Sequence, residues 1–241
     1  MQGSYLIQIK KLKSNIKNKI MKNRKISILM IVLLSASFMA AQKTSKISFA
    51  VLGGANYQNF NGKNFMGDKL TNDMLLGFHA GVNAAIMIAP EFYFQPGLMF
   101  ATKGAKNTVG SYTGTTTLTY IELPLNVVYK AALGSGSIML GFGPYVAYGI
   151  GGKFKGQLGA LSIEKDIVFQ GSADSNDNYY NYKAFDAGAN ILFGYEMAGG
   201  IFLQLDAQYG MLNINPEYKG LTSDKSVTNN TGFGLSLGYR F

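Results

Sequence analysis

The chain has 241 residues, of which 47% are hydrophobic and only 15% charged, and it contains 30 glycines, 15 tyrosines and 16 phenylalanines. The formal net charge is +9, but eight of the 22 basic residues precede residue 42, where there is no acidic residue. The other 14 basic residues nearly balance the 13 acidic residues, so the net charge does not indicate a nucleic-acid partner. The absence of cysteine excludes disulfides and thiolate metal sites.

The first 41 residues have the pattern of a secretion signal. Lys22, Arg24 and Lys25 precede an apolar run that ends in small residues around Ala40. This run of about 16 residues is shorter than the roughly 20 needed to cross a bilayer, which favours cleavage near residues 40–42. We expect residues 21–41 to be a signal peptide, residues 1–20 to be an upstream-start artefact or an extended n-region, and 42–241 to be the mature domain. An uncleaved anchor helix is the alternative.

Eight segments of the mature chain alternate large apolar side chains with small or polar ones, as strands do when only one face is apolar. Their lengths suit the roughly 9 to 11 residues that a tilted membrane strand requires. The segments are 47–57, 75–88, 92–103, 118–131, 138–150, 185–196, 201–212 and the ending Phe233–Phe241. In each segment the charged residues fall on the face opposite the apolar row. A soluble lipocalin-like barrel would have its large apolar residues inside and its charges outside, whereas a membrane barrel has the reverse arrangement.

The connections between these segments alternate in length. Short turns are expected at 89–91, 132–137 and 197–200, and long loops at 58–74, 104–117, 151–184 and 213–231. This alternation is typical of outer-membrane barrels. The predicted fold is therefore all-β: an eight-stranded antiparallel up-and-down transmembrane β-barrel with short periplasmic turns and long extracellular loops.

The barrel must close, because in lipid every unpaired amide or carbonyl of an edge strand costs several kcal/mol. We expect the Phe233–Phe241 strand to pair with the 47–57 strand, and its terminal phenylalanine resembles the signal that barrel-insertion machinery reads. Eight strands leave room only for side chains inside, so a filled lumen without porin-like conductance is predicted. Inward basic residues should pair with inward acids. These residues are Lys103, Lys130 and Arg240, and Glu122, Asp186, Glu196 and Asp206.

Several short motifs resemble one family. The stretch Tyr120-Ile-Glu-Leu-Pro-Leu-Asn-Val-Val-Tyr-Lys130, the later Gly141-Phe-Gly-Pro-Tyr145 and the final Gly-Tyr-Arg-Phe241 resemble the PorT-like outer-membrane β-barrel family of Bacteroidota. The resemblance covers nearly all of the mature chain and implies an outer-membrane location. It implies no catalytic residue, and the namesake's role in type IX secretion is not carried over by these motifs.

Two places in the sequence are candidate sites of chemistry. His79, the only histidine, is expected to point inward; a lumen residue is favoured over a catalytic one, because no serine lies at matching height on the lipid face of an adjacent strand. The segment around Asp174 could bind calcium, but it lacks the glycine and distal glutamate of an EF-hand loop. We expect no catalytic residue, no cofactor and no metal.

The same segment is rich in Tyr, Asn and Ser, which suits an adaptable recognition surface. Its candidate contact residues for an extracellular protein or glycan are Asp174, Asp177, Tyr179, Tyr180 and Tyr182. The predicted function is that of a small non-enzymatic barrel, embedded in outer-membrane lipid, that acts as a structural or interaction protein through its loops. The alternatives are an accessory component of a secretion or envelope-assembly machine, an adhesin, or a lipid-modifying barrel enzyme.

Overall fold

The computed structural model describes residues 47–174, 180–219 and 224–241; the predicted leader lies outside these ranges. Among the described residues, no helix is long and apolar enough to cross a membrane. The strands are β1 (Ile47–Lys63), β2 (Leu75–Ala89), β3 (Phe92–Val109), β4 (Tyr112–Leu133), β5 (Gly136–Leu158), β6 (Leu161–Phe169), β7 (Ser172–Asp174), β8 (Tyr180–Tyr182), β9 (Phe185–Glu196), β10 (Ile201–Gly210), β11 (Glu217–Lys219) and β12 (Val227–Arg240).

Eight of these strands form a closed antiparallel ring. The order is β4-β3-β2-β1-β12-β10-β9-β5, and β5 pairs with β4 to complete the circle. The first strand, β1, and the last strand, β12, pair without a gap. The ladder begins with the pair of Ala50 and Arg240 and ends with the pair of Lys63 and Val227. The predicted eight-stranded barrel, including the pairing of its two ends, is confirmed.

The two faces of the ring strands are as predicted. In β12, Phe233, Leu235, Leu237 and Tyr239 are exposed on the outer face, whereas the residues between them are buried. The other ring strands repeat this alternation, so that the outer wall is a band of apolar side chains. Such a wall is stable in lipid and not in water.

The strands extend further than predicted at the end with the long loops. The segment 104–117, predicted to be a loop, continues β3 and β4 into a hairpin that turns at Gly110 and Ser111. Part of the predicted loop 151–184 likewise forms a hairpin, because β5 continues to Leu158 and β6 returns from Leu161. Outside the membrane neither face of a strand has to be apolar, so the alternation that marks the other strands is missing here.

The barrel interior is layered. The upper apolar cluster, toward the long loops, consists of Phe60, Ala105, Leu118, Tyr120, Tyr145, Ala147, Ile167 and Ile214. The lower apolar cluster, toward the short turns, consists of Ala50, Val128, Met139, Leu192 and Phe202. Polar side chains lie between them around a cavity of about 80 Å³. The lumen is therefore filled mostly by side chains.

Three prolines interrupt three consecutive strand pairings, and we call them the proline band. The β2–β3 pairing is interrupted between Asn83 and Ile86, the β3–β4 pairing between Pro96 and Met99, and the β4–β5 pairing between Pro124 and Val127, with the same register on both sides of each gap. Each break contains one proline, namely Pro96, Pro124 or Pro144. Because proline has no N–H to donate, the backbone ladder is locally incomplete along this side of the wall.

Candidate functional site

Beyond the ring, β3, β4, β5 and β6 continue as one extracellular sheet. Each of its two hairpins turns through two residues, the first being a glycine with positive φ, Gly110 (58°) or Gly159 (57°). Two-residue turns of this kind fix the register of a hairpin. The turns lie side by side, because Tyr112 of β4 pairs directly with Leu158 of β5.

One face of this sheet is apolar at its free end. Val109 pairs with Tyr112, Tyr112 with Leu158, and Leu158 with Leu161, and directly paired residues share a face. Ile163 lies two residues further along the same face. We call these five residues the apolar tip; their exposed fractions run from 36% for Tyr112 to 74% for Leu161. The sequence does indicate two turns flanked by apolar residues, because residues 109–112 read Val-Gly-Ser-Tyr and residues 158–161 read Leu-Gly-Ala-Leu. That the two turns lie side by side is known only from the register of β4 with β5.

The opposite face of the sheet is polar and forms an open groove of about 600 Å³, which we call the polar groove. It is lined by Thr115, Thr117, Thr119, Gly151, Gly152, Lys153, Lys155, Glu164, Asp166 and Ile167. The Lys153 ammonium donates a hydrogen bond to the Glu164 carboxylate. This hydrogen bond raises the pKa of Lys153 and lowers the pKa of Glu164.

A β-bulge sets which side chains line the polar groove. Thr119 pairs with Gly151 and Tyr120 with Gly149, so Ile150 has no partner on β4. The extra residue reverses the alternation of β5: Tyr148 and Ile150 face outward below the bulge, and Lys153 and Lys155 face outward above it. Without the bulge, these two lysines would point toward the interior.

The predicted contact residues fall into different environments. Tyr180 of β8 stacks on Phe154, with ring centroids 3.8 Å apart, and burial followed by the neighbouring Tyr112 raises the pKa of Tyr180. Tyr180 therefore borders the apolar tip. Tyr182 instead packs against the upper apolar cluster, 5.9 Å from the Phe60 ring, and burial raises its pKa to about 12.

The remaining predicted contact residues are Asp174, Asp177 and Tyr179. Asp174 is exposed at the end of β7, opposite Lys219 of β11 in a parallel pairing that joins two extracellular loops. Asp177 and Tyr179 lie outside the described residues. Among the described residues, no three His, Asp or Glu side chains lie close enough together to hold a metal ion.

Inside the barrel, three of the four expected inward acids, Glu122, Asp186 and Glu196, form ion pairs, whereas Asp206 forms none with the described residues. Lys103 Nζ lies 2.8 Å from Glu122 Oε2 and 3.2 Å from Asp186 Oδ2. At the periplasmic end, Lys130 and Arg240 both contact Glu196 Oε2, at 2.7 and 2.8 Å. The charges that the lumen buries are thus largely compensated by one another.

His79 makes a contact that the sequence did not reveal. Its Nε2 lies 2.6 Å from Ser236 Oγ, and Ser236 in turn donates to Asp206 Oδ1 at 3.5 Å. Ser236 is not on an adjacent strand: His79 pairs with Gly54 of β1, which pairs with Ser236 of β12, and the glycine leaves the space between them open. The carboxylate accepts its hydrogen bond from the serine and not from the imidazole, and Ser236 is fully buried, unlike the Ser-His-Asp arrangement of nucleophilic enzymes.

Comparison with known proteins agrees with this architecture. Residues 40–215 match the family described as outer membrane protein beta-barrel domain. No curated protein matches the chain. Similar solved structures include the attachment invasion locus protein Ail of Yersinia pestis (12% identity, 82% of this chain and 100% of that chain covered, TM-score 0.35). They also include OprG of Pseudomonas aeruginosa (13% identity, 80% of this chain and 95% of that chain covered, TM-score 0.46). A third is Neisserial surface protein A (14% identity, 80% of this chain and 95% of that chain covered, TM-score 0.39). At these identities and TM-scores, the likenesses carry no argument about function.

Proposed function

The chain belongs to the outer membrane protein beta-barrel domain family, and from that premise we propose that it is a non-enzymatic interaction barrel that binds a partner protein at its extracellular end. The apolar tip is the observation that supports this proposal. Exposed apolar clusters on water-facing surfaces are characteristic of protein interaction sites. The partner is expected to bring apolar side chains to Leu158, Leu161 and Ile163.

Lipid does not account for the exposure of the apolar tip. Ile150 is the last residue on the outward apolar row of β5, and Leu158 is eight residues further along the strand, which is roughly 26 Å at the usual rise per residue. Strand tilt reduces this distance but does not bring the tip to the bilayer. The side chains of the tip therefore face water until a partner covers them.

The tip is built on continuous strands, which suits a binding surface. β4 and β5 run without interruption from the membrane wall into the extracellular sheet, so the sheet is anchored by the barrel. A surface that is ordered before binding loses less conformational entropy when the partner arrives. Tyr180, held against Phe154, adds an aromatic side chain at its border.

The filled lumen supports an interaction role over a transport role. Tyr120, Tyr145 and Phe202 are almost completely buried inside the ring, and the ion pairs of Lys103 and Glu196 fill space between and below them. The assignment to the PorT-like group of Bacteroidota, on the motif at residues 120–130, belongs to the same proposal. So do cleavage of the leader at residues 40–42 and recognition of the Phe233–Phe241 strand by the insertion machinery.

Site-specific photo-crosslinking in intact cells tests the interaction. The photoreactive residue p-benzoylphenylalanine replaces Leu161 on the apolar tip or, as the matched control, Gln157 on the polar face of the same hairpin. We expect Leu161 to give a discrete crosslinked protein band and Gln157 to give none. Equal crosslinking from both positions, or none from Leu161 while the barrel is folded, would contradict the proposal.

A further inference from the structure

The polar layer of the lumen contains one carboxylate that no basic side chain neutralises. With His79 neutral, the lumen holds four inward acids and three inward bases. The bases, Lys103, Lys130 and Arg240, are engaged by the other three acids, so Asp206 is left without an ion pair in the described part of the chain. Asp206 lines the central cavity. An unpaired charge inside a protein costs free energy unless a counter-charge approaches it.

The same cavity is lined by amide side chains whose oxygens have no hydrogen-bond donor among the described residues. Each of these side chains is more than nine-tenths buried; they are Asn56, Gln58, Gln95 and Asn126. The orientation of the Asn56 amide is fixed, because its Nδ2 donates to the backbone carbonyl of Thr102 at 3.1 Å. Buried acceptors without a donor are rare in native proteins, and a bound water or ion commonly accounts for them.

Two glycines of β12 open the space in which these groups meet. A Cβ on Gly234 would lie 2.8 Å from Asp206 Oδ2, and a Cβ on Gly232 would lie 2.8 Å from Gln58 Nε2. Since residues two apart on a strand share a face, the Asp206 carboxylate and the Gln58 amide lie next to each other over bare backbone. The cavity of about 80 Å³ can hold an ion with several waters, because one water needs about 10–15 Å³.

We propose that this cavity binds one monovalent metal cation, Na⁺ or K⁺. Asp206 is the charged ligand, and the four amide oxygens coordinate the cation directly or through water. Carboxylate, amide and water oxygens are the ligands that hard cations take in proteins. One positive charge makes the lumen neutral, whereas a divalent cation would leave an excess of positive charge. This inference does not depend on the proposed partner of the apolar tip.

Neither of the two simpler occupants satisfies the whole site. An imidazolium at His79 would neutralise the lumen, but its Nε2 is already engaged with Ser236, so at most one N–H remains for the amide oxygens. Water alone would donate to the amide oxygens but would leave the charge of Asp206 uncompensated. A cation with a few waters does both.

Refolding in different salts tests the proposal. An apolar cluster lies on each side of the cavity, so the cation is expected to be captured as the barrel folds. The full-length protein is unfolded in urea and refolded in detergent with sodium, potassium, calcium or choline chloride at equal ionic strength, and the urea midpoint of unfolding is measured. We expect the midpoint to rise and saturate with Na⁺ or K⁺ concentration, because only the folded chain binds the cation, and to stay constant in choline. Equal midpoints in all salts overturn the proposal, and a rise with calcium alone overturns the monovalent assignment.

Three variants locate the cation, each measured after a heat-dependent mobility shift confirms refolding. Asp206→Asn should abolish the cation dependence and, in choline, should unfold at a higher urea concentration than the wild type. Asp166→Asn, which changes an exposed carboxylate of β6, is the matched control and should keep the wild-type dependence. Gln58→Met removes one amide oxygen and should raise the half-saturating cation concentration severalfold. Dependence that persists in Asp206→Asn, or an unchanged half-saturation in Gln58→Met, overturns the ligand assignment.

A variant of His79 separates the cation from the imidazolium as the counter-charge of Asp206. His79→Gln should keep the dependence on Na⁺ or K⁺, because glutamine leaves the proposed ligands in place. Cation dependence that is absent from the wild type and appears only in His79→Gln would identify the imidazolium as the counter-charge and would overturn the proposal.

Discussion

The imidazole of His79 and the hydroxyl of Ser236 lie 2.6 Å apart although β1 separates their strands. Residues in direct contact couple energetically, so His79→Ala and Ser236→Ala should show a coupling free energy of about 0.5–3 kcal/mol in a double-mutant cycle. The measurement is the free energy of unfolding in urea, in lipid or detergent. Pairing His79→Ala with Ser162→Ala, an exposed serine of β6, should give additive effects. Additivity in the His79 and Ser236 cycle would disprove the contact.

Lys103 is predicted to be essential for stability. Its ammonium is buried against Glu122 and Asp186, and removing one partner of a buried ion pair leaves uncompensated charge. Lys103→Met should therefore lower the free energy of unfolding by about 3–5 kcal/mol. The matched control is Lys153→Met in the exposed pair with Glu164, where solvent screens the interaction and little change is expected. Similar unfolding curves for the two variants would contradict this prediction.

The extracellular end should lose stability at alkaline pH. Burial raises the pKa of Tyr182 from 10.0 to about 12. Between these values the unfolded chain releases the phenolic proton and the folded chain keeps it, so the free energy of unfolding falls as pH rises through this window. The slope should be smaller in Tyr182→Phe, measured by urea unfolding from pH 9 upward on both proteins. Parallel pH dependences for the two proteins would argue against a buried phenol.

The lumen should not conduct ions like a porin. One apolar cluster lies above the polar layer of the lumen and one below it, and water-filled permeation requires a continuous polar path. Planar-bilayer recording of the purified monomer should show no stable large conductance steps, with a known porin as the positive control. Regular large steps from the pure monomer would mean that the lumen opens in a bilayer.

The membrane strands could be predicted because lipid imposes a strict pattern on them. Every outward residue has to be apolar, and in Phe233–Arg240 this produces an alternation that a sequence displays directly. The inward direction of the lumen charges follows from the same parity, so pairing between inward bases and inward acids could be predicted, but the particular partners of Lys103 could not. The contact between His79 and Ser236 could not be predicted, because it depends on two strand registers and on Gly54 having no side chain.

The extracellular sheet could not be predicted in the same way. Its β4 portion, Tyr112–Leu118, is rich in threonine, which is a good strand former but gives no apolar period. The bulge at Ile150 then changes the parity of β5 without any obvious sequence mark. Composition did point to Tyr180, but the apolar tip beside it exists only because two hairpin turns are brought into register.

The proline band makes the barrel wall mechanically uneven. The pairing of β1 with β12 is unbroken, whereas the three prolines weaken the pairings from β2 to β5. The strands that carry the extracellular sheet include β3, β4 and β5, so the sheet rises from the half of the cylinder in which the backbone ladder is least complete. The junction between the first and last strands, on which closure of the cylinder depends, has a complete ladder.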